Sequence, residues 1–264
     1  MQLICDHLSI HYKTRKALNA FNLQLKRGEI CTLIGPNGSG KSTALQAIAG
    51  LIPPTQGKSF LDNYPVQSMS RRLLARKLAF LPQQPLAPDE MRVCQLVRQG
   101  RFAHVGLLRS YKKSDEEAIE WALHSTGLSG YGERFLNELS GGERQRAWIA
   151  AAIAQEAEIL LLDEPTSFLD IGYQAEVLDL VYQLSREYGT TILISIHDIN
   201  QAMAICDRIV LLDRGKQIFN GTADILAQSG LIEKTFRVKG QFVSLRSHAP
   251  PHFDIEWLTS KRNH

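Results

Sequence analysis

The chain has 264 residues and 44% hydrophobic residues, with 30 Lys and Arg against 27 Asp and Glu. At roughly 150 residues per domain, the length predicts one large domain or one domain plus a subdomain, able to bury roughly 70–75% of its unfolded surface without disulfide or metal staples. A charged fraction of 22% excludes general disorder, a net charge of +3 is too small to argue for a nucleic-acid binder, and no nucleic-acid partner is expected.

Along the chain, the first third reads as short strands. Leu18 to Leu25 alternates apolar and polar residues and turns at Lys26-Arg27-Gly28, and Ile30 to Ile34 is a mostly apolar run of strand length. A glycine-rich loop follows, then a helix from Thr43 to Gly50, stopped by Gly50 and Pro53-Pro54. The middle third is helical. Ser114 to Glu117 has the spacing of a capping box, with Ile119, Ala122, Leu123 and Thr126 on one face, and Ser140 and Glu143 repeat that spacing before a helix ending near Gln155. In the last third Ile159 to Leu162 is apolar on both faces, as in a strand buried between helix layers. A helix at about Gly172 to Tyr188, a strand at Thr191 to Ile196, a helix at Ile199 to Ile205 and a strand at Arg208 to Leu212 complete an α/β core, with a helical insertion at about residues 86–156.

Three features bear on location. The longest apolar run, Ala147 to Ala154, falls far short of the roughly 18 residues that span a bilayer. Asp6 and His7 interrupt any apolar core near the start, so no signal peptide is expected. Cys5, Cys31, Cys94 and Cys206 lack CxxC spacing and read as reduced, mostly buried thiols of a cytosolic protein. The positive excess is local. Lys234 to His264 carries six Lys or Arg against Asp254 and Glu256, a net of +4. It reads as a solvated basic tail, or as a membrane-proximal segment attracted to anionic lipid.

Gly35-Pro36-Asn37-Gly38-Ser39-Gly40-Lys41-Ser42 matches GxxxxGK[ST], ahead of Thr43. The glycines let consecutive backbone N–H groups cradle phosphate, and the following helix turns its positive end to the same anion. Lys41 would reach the β- and γ-phosphates and the Ser42 hydroxyl would bind Mg²⁺. Asp163 ends an apolar strand, where a carboxylate can hold Mg²⁺ through water, and Glu164 follows as a candidate general base. Ser140, Gly141 and Gly142 open a helix and offer a second anion-binding surface.

Leu139 to Arg146 (LSGGERQR), followed by Asp163-Glu164-Pro165-Thr166-Ser167 and Leu169-Asp170, resembles the nucleotide-binding subunit of an ABC transporter, from Tyr12 to about Phe236. The resemblance implies a P-loop ATPase core of mixed or parallel sheet with flanking helices, an N-terminal antiparallel β part and an inserted helical subdomain. It implies a domain over residues 1–236 and a basic extension over 237–264. It also implies ATP and Mg²⁺ as cofactors and a head-to-tail homodimer, in which Ser140, Gly141 and Gly142 close on the partner's nucleotide. Gln83 matches a glutamine that touches Mg²⁺ and the attacking water, with Gln84 the alternative register. His197 matches a histidine on the γ-phosphate, Tyr12 an aromatic on adenine, and Asp170 an aspartate that couples the two sites. Phe168 departs from the small residue common at its position.

Ser70 to Gln83, Gly100 to Gly106, Glu143 to Ala150 and His197 to Ala202 are similar to importers of ferric siderophores, haem and cobalamin, although many of those have Pro at the position of Ala103. The likeness implies membrane permease partners, an extracytoplasmic substrate-binding protein, and a peripheral place on the cytoplasmic face of the inner membrane. In that family the segment between Gln83 and Ser114 grips the permease. Here Val93, Leu96, Val97, Phe102, Val105, Leu107, Leu108 and Tyr111 fit either that surface or the core of the helical part. The other reading is an ABC-type ATPase that acts as a soluble assembly scaffold, as in iron–sulfur cluster assembly.

Overall fold

A computed structural model describes residues 3–13, 15–106, 110–243 and 250–256. Strands β1 (Leu3–Tyr12) and β2 (Arg15–Leu25) pair antiparallel, with Leu3 opposite Leu25. Strand β3 (Ile30–Ile34) feeds the glycine loop and helix α1 (Lys41–Ile48). The helix starts two residues before the expected Thr43, because Gly40 (φ 109) already closes the loop as its N-cap. Lys41 and Ser42 therefore sit on the first helical turn.

Strands β4 (Gln56–Leu61) and β5 (Tyr64–Pro65) extend the antiparallel part on the far side of β1. Helix α2 (Arg71–Lys77) runs directly into β6 (Leu78–Leu81). Four helices follow: α3 (Val93–Gly100), α4 (Phe102–Val105), α5 (Lys113–Ser125) and α6 (Gly141–Ile153). The expected capping box at Ser114 and Glu117 does not form. The helix begins at Lys113, and Asp115 Oδ2 accepts from Lys112 N at 3.0 Å. Asp115 is fixed there because Arg101, itself buried, donates to its other oxygen at 2.9 and 3.0 Å.

The chain then alternates. Strand β7 (Ile159–Asp163), α7 (Ile171–Arg186), β8 (Thr191–Ser195), α8 (Ile199–Ile205) and β9 (Arg208–Asp213) match the expected order within a few residues, and β10 (Lys216–Gly221), outside the expected elements, pairs antiparallel with β9. Helices α9 (Ala223–Ala227) and α10 (Leu231–Phe236) lead to a small hairpin of β11 (Gly240–Val243) and β12 (His252–Ile255).

The main sheet has the order β5-β4-β1-β2-β10-β9-β3-β8-β7-β6. Strands β9, β3, β8, β7 and β6 are parallel. Alternation within a strand sends side chains to opposite faces. Ile30, Ile34, Leu160 and Leu162 join the core beneath α3, α6 and α7. Cys31, Leu33, Ile159 and Leu161 join the second core, against α1 and the antiparallel strands. Both faces are covered, which is why β3, β7 and β8 read as near-continuous apolar runs. Cys5 and Cys31 are buried free thiols, while Cys94 and Cys206 are only half-buried.

Candidate active site

The parallel strands end at one edge, and the carboxyl ends of such strands form the ligand-binding crevice of an open α/β sheet. The glycine loop leaves β3 there, Asp163 closes β7, and Ser195 closes β8. Sheet register sets both Asp163 and Leu33 opposite Ser195. A cleft of about 1000 Å³ opens beside them, lined among others by Tyr12, residues 37–43, Gln83, Glu164 and His197.

The polar groups interlock. Lys41, 5% exposed, donates Nζ to Gly35 O at 2.9 Å and lies 3.5 Å from Glu164 Oε1. Asp163 Oδ1 accepts from Ser42 Oγ at 3.1 Å and from Ser195 Oγ at 2.7 Å. Burial pushes the Asp163 carboxyl up from its ordinary range, and those hydroxyl bonds oppose the rise. Ser195 Oγ also accepts from Glu164 N at 2.8 Å, so one hydroxyl ties neighbouring residues together. Glu164 Oε2 accepts from Gln83 Nε2 at 2.8 Å and from Ser167 Oγ at 3.2 Å. Glu164 sits at φ 48, a left-handed conformation that costs a non-glycine residue about 1–3 kcal/mol. The bonds to Ser195, Gln83 and Ser167 hold it there.

Tyr12, at the end of β1, and His197, just past β8, are exposed and line this cleft. Gly35 and Pro36 form the base of the loop rather than the cleft wall. A Cβ on Gly35 would lie 2.2 Å from Leu212 O. Gln83 reaches Glu164, whereas Gln84 does not line the cleft.

Ser140, Gly141, Gly142 and Asp170 are not brought to this cleft. Ser140 caps α6, its Oγ accepting from Glu143 N at 3.2 Å while Glu143 Oε2 accepts from Ser140 N at 2.8 Å. Gly142 packs so close to α7 that a Cβ there would meet the Tyr173 ring at 2.3 Å. Asp170 caps α7, accepting from Tyr173 N at 3.0 Å.

Sequence reasoning missed several contributors. Ser195 ends a run of β-branched and leucine residues, and a lone hydroxyl beside a parallel strand ending in Asp was the available signal. Arg15 donates to Gly38 O at 3.3 Å beside the loop. Phe236, Val238, Phe253 and Ile255 also line the cleft, from a stretch that read as a tail. Of the apolar residues between Gln83 and Ser114, Val93, Leu96, Val97 and Val105 are core, Phe102 and Tyr111 are exposed, and Leu107 and Leu108 lie outside the described residues. Phe168 is 84% exposed at the cleft rim.

Comparison with known proteins gives a consistent picture. A family model described as "ABC transporter" matches residues 18–167. The petrobactin import ATP-binding protein FpuD of Bacillus anthracis is 42% identical, covering 89% of this chain and 86% of its own length. The iron(3+)-hydroxamate import ATP-binding protein FhuC of Bacillus subtilis is 39% identical, covering 92% and 90%. An inward-facing ABC transporter of metal-chelate type superposes with a TM-score of 0.84 at 30% identity, covering 98% of each chain. A dimeric ATP-binding cassette in a post-hydrolysis state with ADP and Pi superposes at 0.74 with 29% identity, over 83% of this chain and 98% of the other.

Proposed function

The chain belongs to the ABC transporter family, and on that premise we propose that it powers import of an iron–siderophore chelate. As a member of that family it binds and hydrolyses ATP. The carrying observation is that Lys41, Ser42, Asp163, Gln83, Glu164 and His197 meet at one cleft edge.

In this reading the phosphates lie along the N–H groups of residues 35–42, and Tyr12 stacks on the adenine. Lys41 exchanges Gly35 O and Glu164 Oε1 for phosphate oxygens. That exchange frees Glu164 Oε1 to take a proton from the attacking water, which Gln83 and His197 orient toward the γ-phosphate. The adjacent Ser42 hydroxyl and Asp163 carboxylate, with Gln83 nearby, fit Mg²⁺, which takes few protein oxygens and fills its shell with water and phosphate. When bound, the ion offsets charge on the β- and γ-phosphates.

The unit we propose is a homodimer, since Ser140, Gly141 and Gly142 offer an anion surface outside their own chain's cleft, and Asp170 would couple the two halves. Among the described residues no helix is long and apolar enough to cross a membrane. The transport path then belongs to permease subunits, the chain sits peripherally on the cytoplasmic face, and a substrate-binding protein delivers cargo. Residues 1–236 form the ATPase domain, with a helical subdomain at about 86–156, and 237–264 an extension. The cargo assignment draws on relatives whose names specify petrobactin, iron(3+)-hydroxamate and ferric enterobactin.

Two measurements test this reading. Glu164→Gln should bind ATP but turn over about 10²–10⁴-fold more slowly; parental turnover rejects the base assignment. Cells lacking the chain should lose uptake of radiolabelled iron presented on siderophores, and unchanged uptake with every chelate rejects the cargo assignment.

A further inference from the structure

The C-terminal hairpin is bonded to the helix that follows His197. Asn200, in the first turn of α8, accepts from Phe253 N at 2.7 Å through Oδ1 and donates Nδ2 to Phe253 O at 3.2 Å. The carboxamide thus pairs with β12 as a neighbouring strand's peptide group would. Two strands of four residues are marginal alone, and this hairpin is held by packing. Phe253 is 3% exposed, lies 4.9 Å from the Phe242 ring, and joins the core that contains Ala202 and Met203 of α8.

The same turn of α8 is fixed from its other side. Asp198 caps it, accepting from Gln201 N at 3.0 Å, and Gln201 Nε2 donates to Gln174 Oε1 of α7 at 2.7 Å. Upstream, Ser195 is held by Asp163 and Glu164. His197 therefore sits on a short link with both ends tethered, and the downstream tether includes residues from the far end of the chain.

We propose that Asn200 is a positioning residue for ATP hydrolysis, and that the C-terminal hairpin is the anchor through which it holds His197 toward the nucleotide. This rests on the reading that His197 acts at the γ-phosphate. The hairpin then belongs to the catalytic apparatus although it supplies no reacting group.

The test is a double-mutant cycle on the full-length chain, with kcat and KM for ATP measured for Asn200→Ala, His197→Ala and the pair. Asn200→Ala removes both bonds to Phe253 and should lower kcat about tenfold while KM stays within about twofold. The pair should be no slower than His197→Ala alone, because both changes remove one function. Asn200→Asp keeps the acceptor for Phe253 N but sets a carboxylate against Phe253 O, and should fall between parent and Asn200→Ala. If Asn200→Ala does not fold, Asn200→Asp carries the same cycle. Unchanged kcat with a lowered Tm would make the contact purely structural and overturn the proposal. Losses that multiply in the pair overturn it too. Parental kcat in His197→Ala would instead reject the underlying reading of the histidine.

Discussion

The starts of α1 and α6 both carry glycine, and they are built differently. The turn before α1 ends on Gly40 with no side-chain cap, so the first N–H groups of that helix remain uncommitted. The turn before α6 ends on Ser140 and closes a reciprocal capping box with Glu143. The first lies among a lysine, two carboxylates and a histidine, whereas the second packs on Tyr173 away from that group. Glycine and a helix start do not by themselves make a catalytic site. In the proposed reading the first turn would hold a nucleotide within its own chain, and the second would meet a phosphate held by a partner copy.

The largest break in this contrast comes from Lys41→Ala. It removes the cation of the first turn and should cost about 10²–10³-fold or more in kcat/KM, with ATP binding lost in equilibrium titration; retained affinity would mean the backbone cradle suffices. Ser140→Arg attacks the other turn. Turnover should fall about 100-fold, while binding of ATP to one chain stays at the parental level. Equal loss of binding would collapse the distinction between the two turns.

Gly142→Ala sharpens the comparison further, because its Cβ would meet the Tyr173 ring at 2.3 Å. Overpacking of this kind costs about 1–3 kcal/mol, visible as a lower denaturation midpoint, and Tyr173→Ala in the same chain should relieve it. The smallest effect is electrostatic. Hydrogen bonds from the Ser140 backbone and hydroxyl hold the Glu143 carboxyl below the ordinary glutamate range. A depressed carboxyl contributes stability above its unfolded value and loses it as pH falls through the folded one. The chain should therefore lose stability in acid, below the usual glutamate range. Glu143→Gln, which keeps an acceptor for Ser140 N, should flatten that slope in pH-dependent unfolding.

Much of the site was legible in the sequence because the chemistry restricts residue type and spacing. Lys41 follows one recognisable strand by way of the loop, and Asp163 ends another, with Glu164 directly after it. The starts of α1 and α5 were misplaced for different reasons: the left-handed Gly40 caps one directly, and the distant Arg101 fixes Asp115 in the other. Ser195 was hidden because its role exists only once β7 and β8 are in register. The terminal hairpin was hidden for a similar reason. Its strands are too short to show a period, and the burial of Phe253 depends on helix residues some fifty positions earlier.

The loop of residues 35–42 also has a consequence in time. Its own strand, β3, lies between β8 and β9, both made in the last third of the chain. Gly35 lies so close to Leu212 O that a Cβ would come within 2.2 Å of it, and Ser39 O accepts from Gly215 N at 2.8 Å. On the ribosome the phosphate loop is synthesised early yet cannot take its shape until the far strands emerge. Both edges of β3 stay open through most of synthesis, and an open edge is a template for wrong pairing. A ligand stabilises only the form it binds, so ATP would shelter the loop only after β8 and β9 have flanked β3. Nucleotide affinity in this sense reports that β8 and β9 have joined β3.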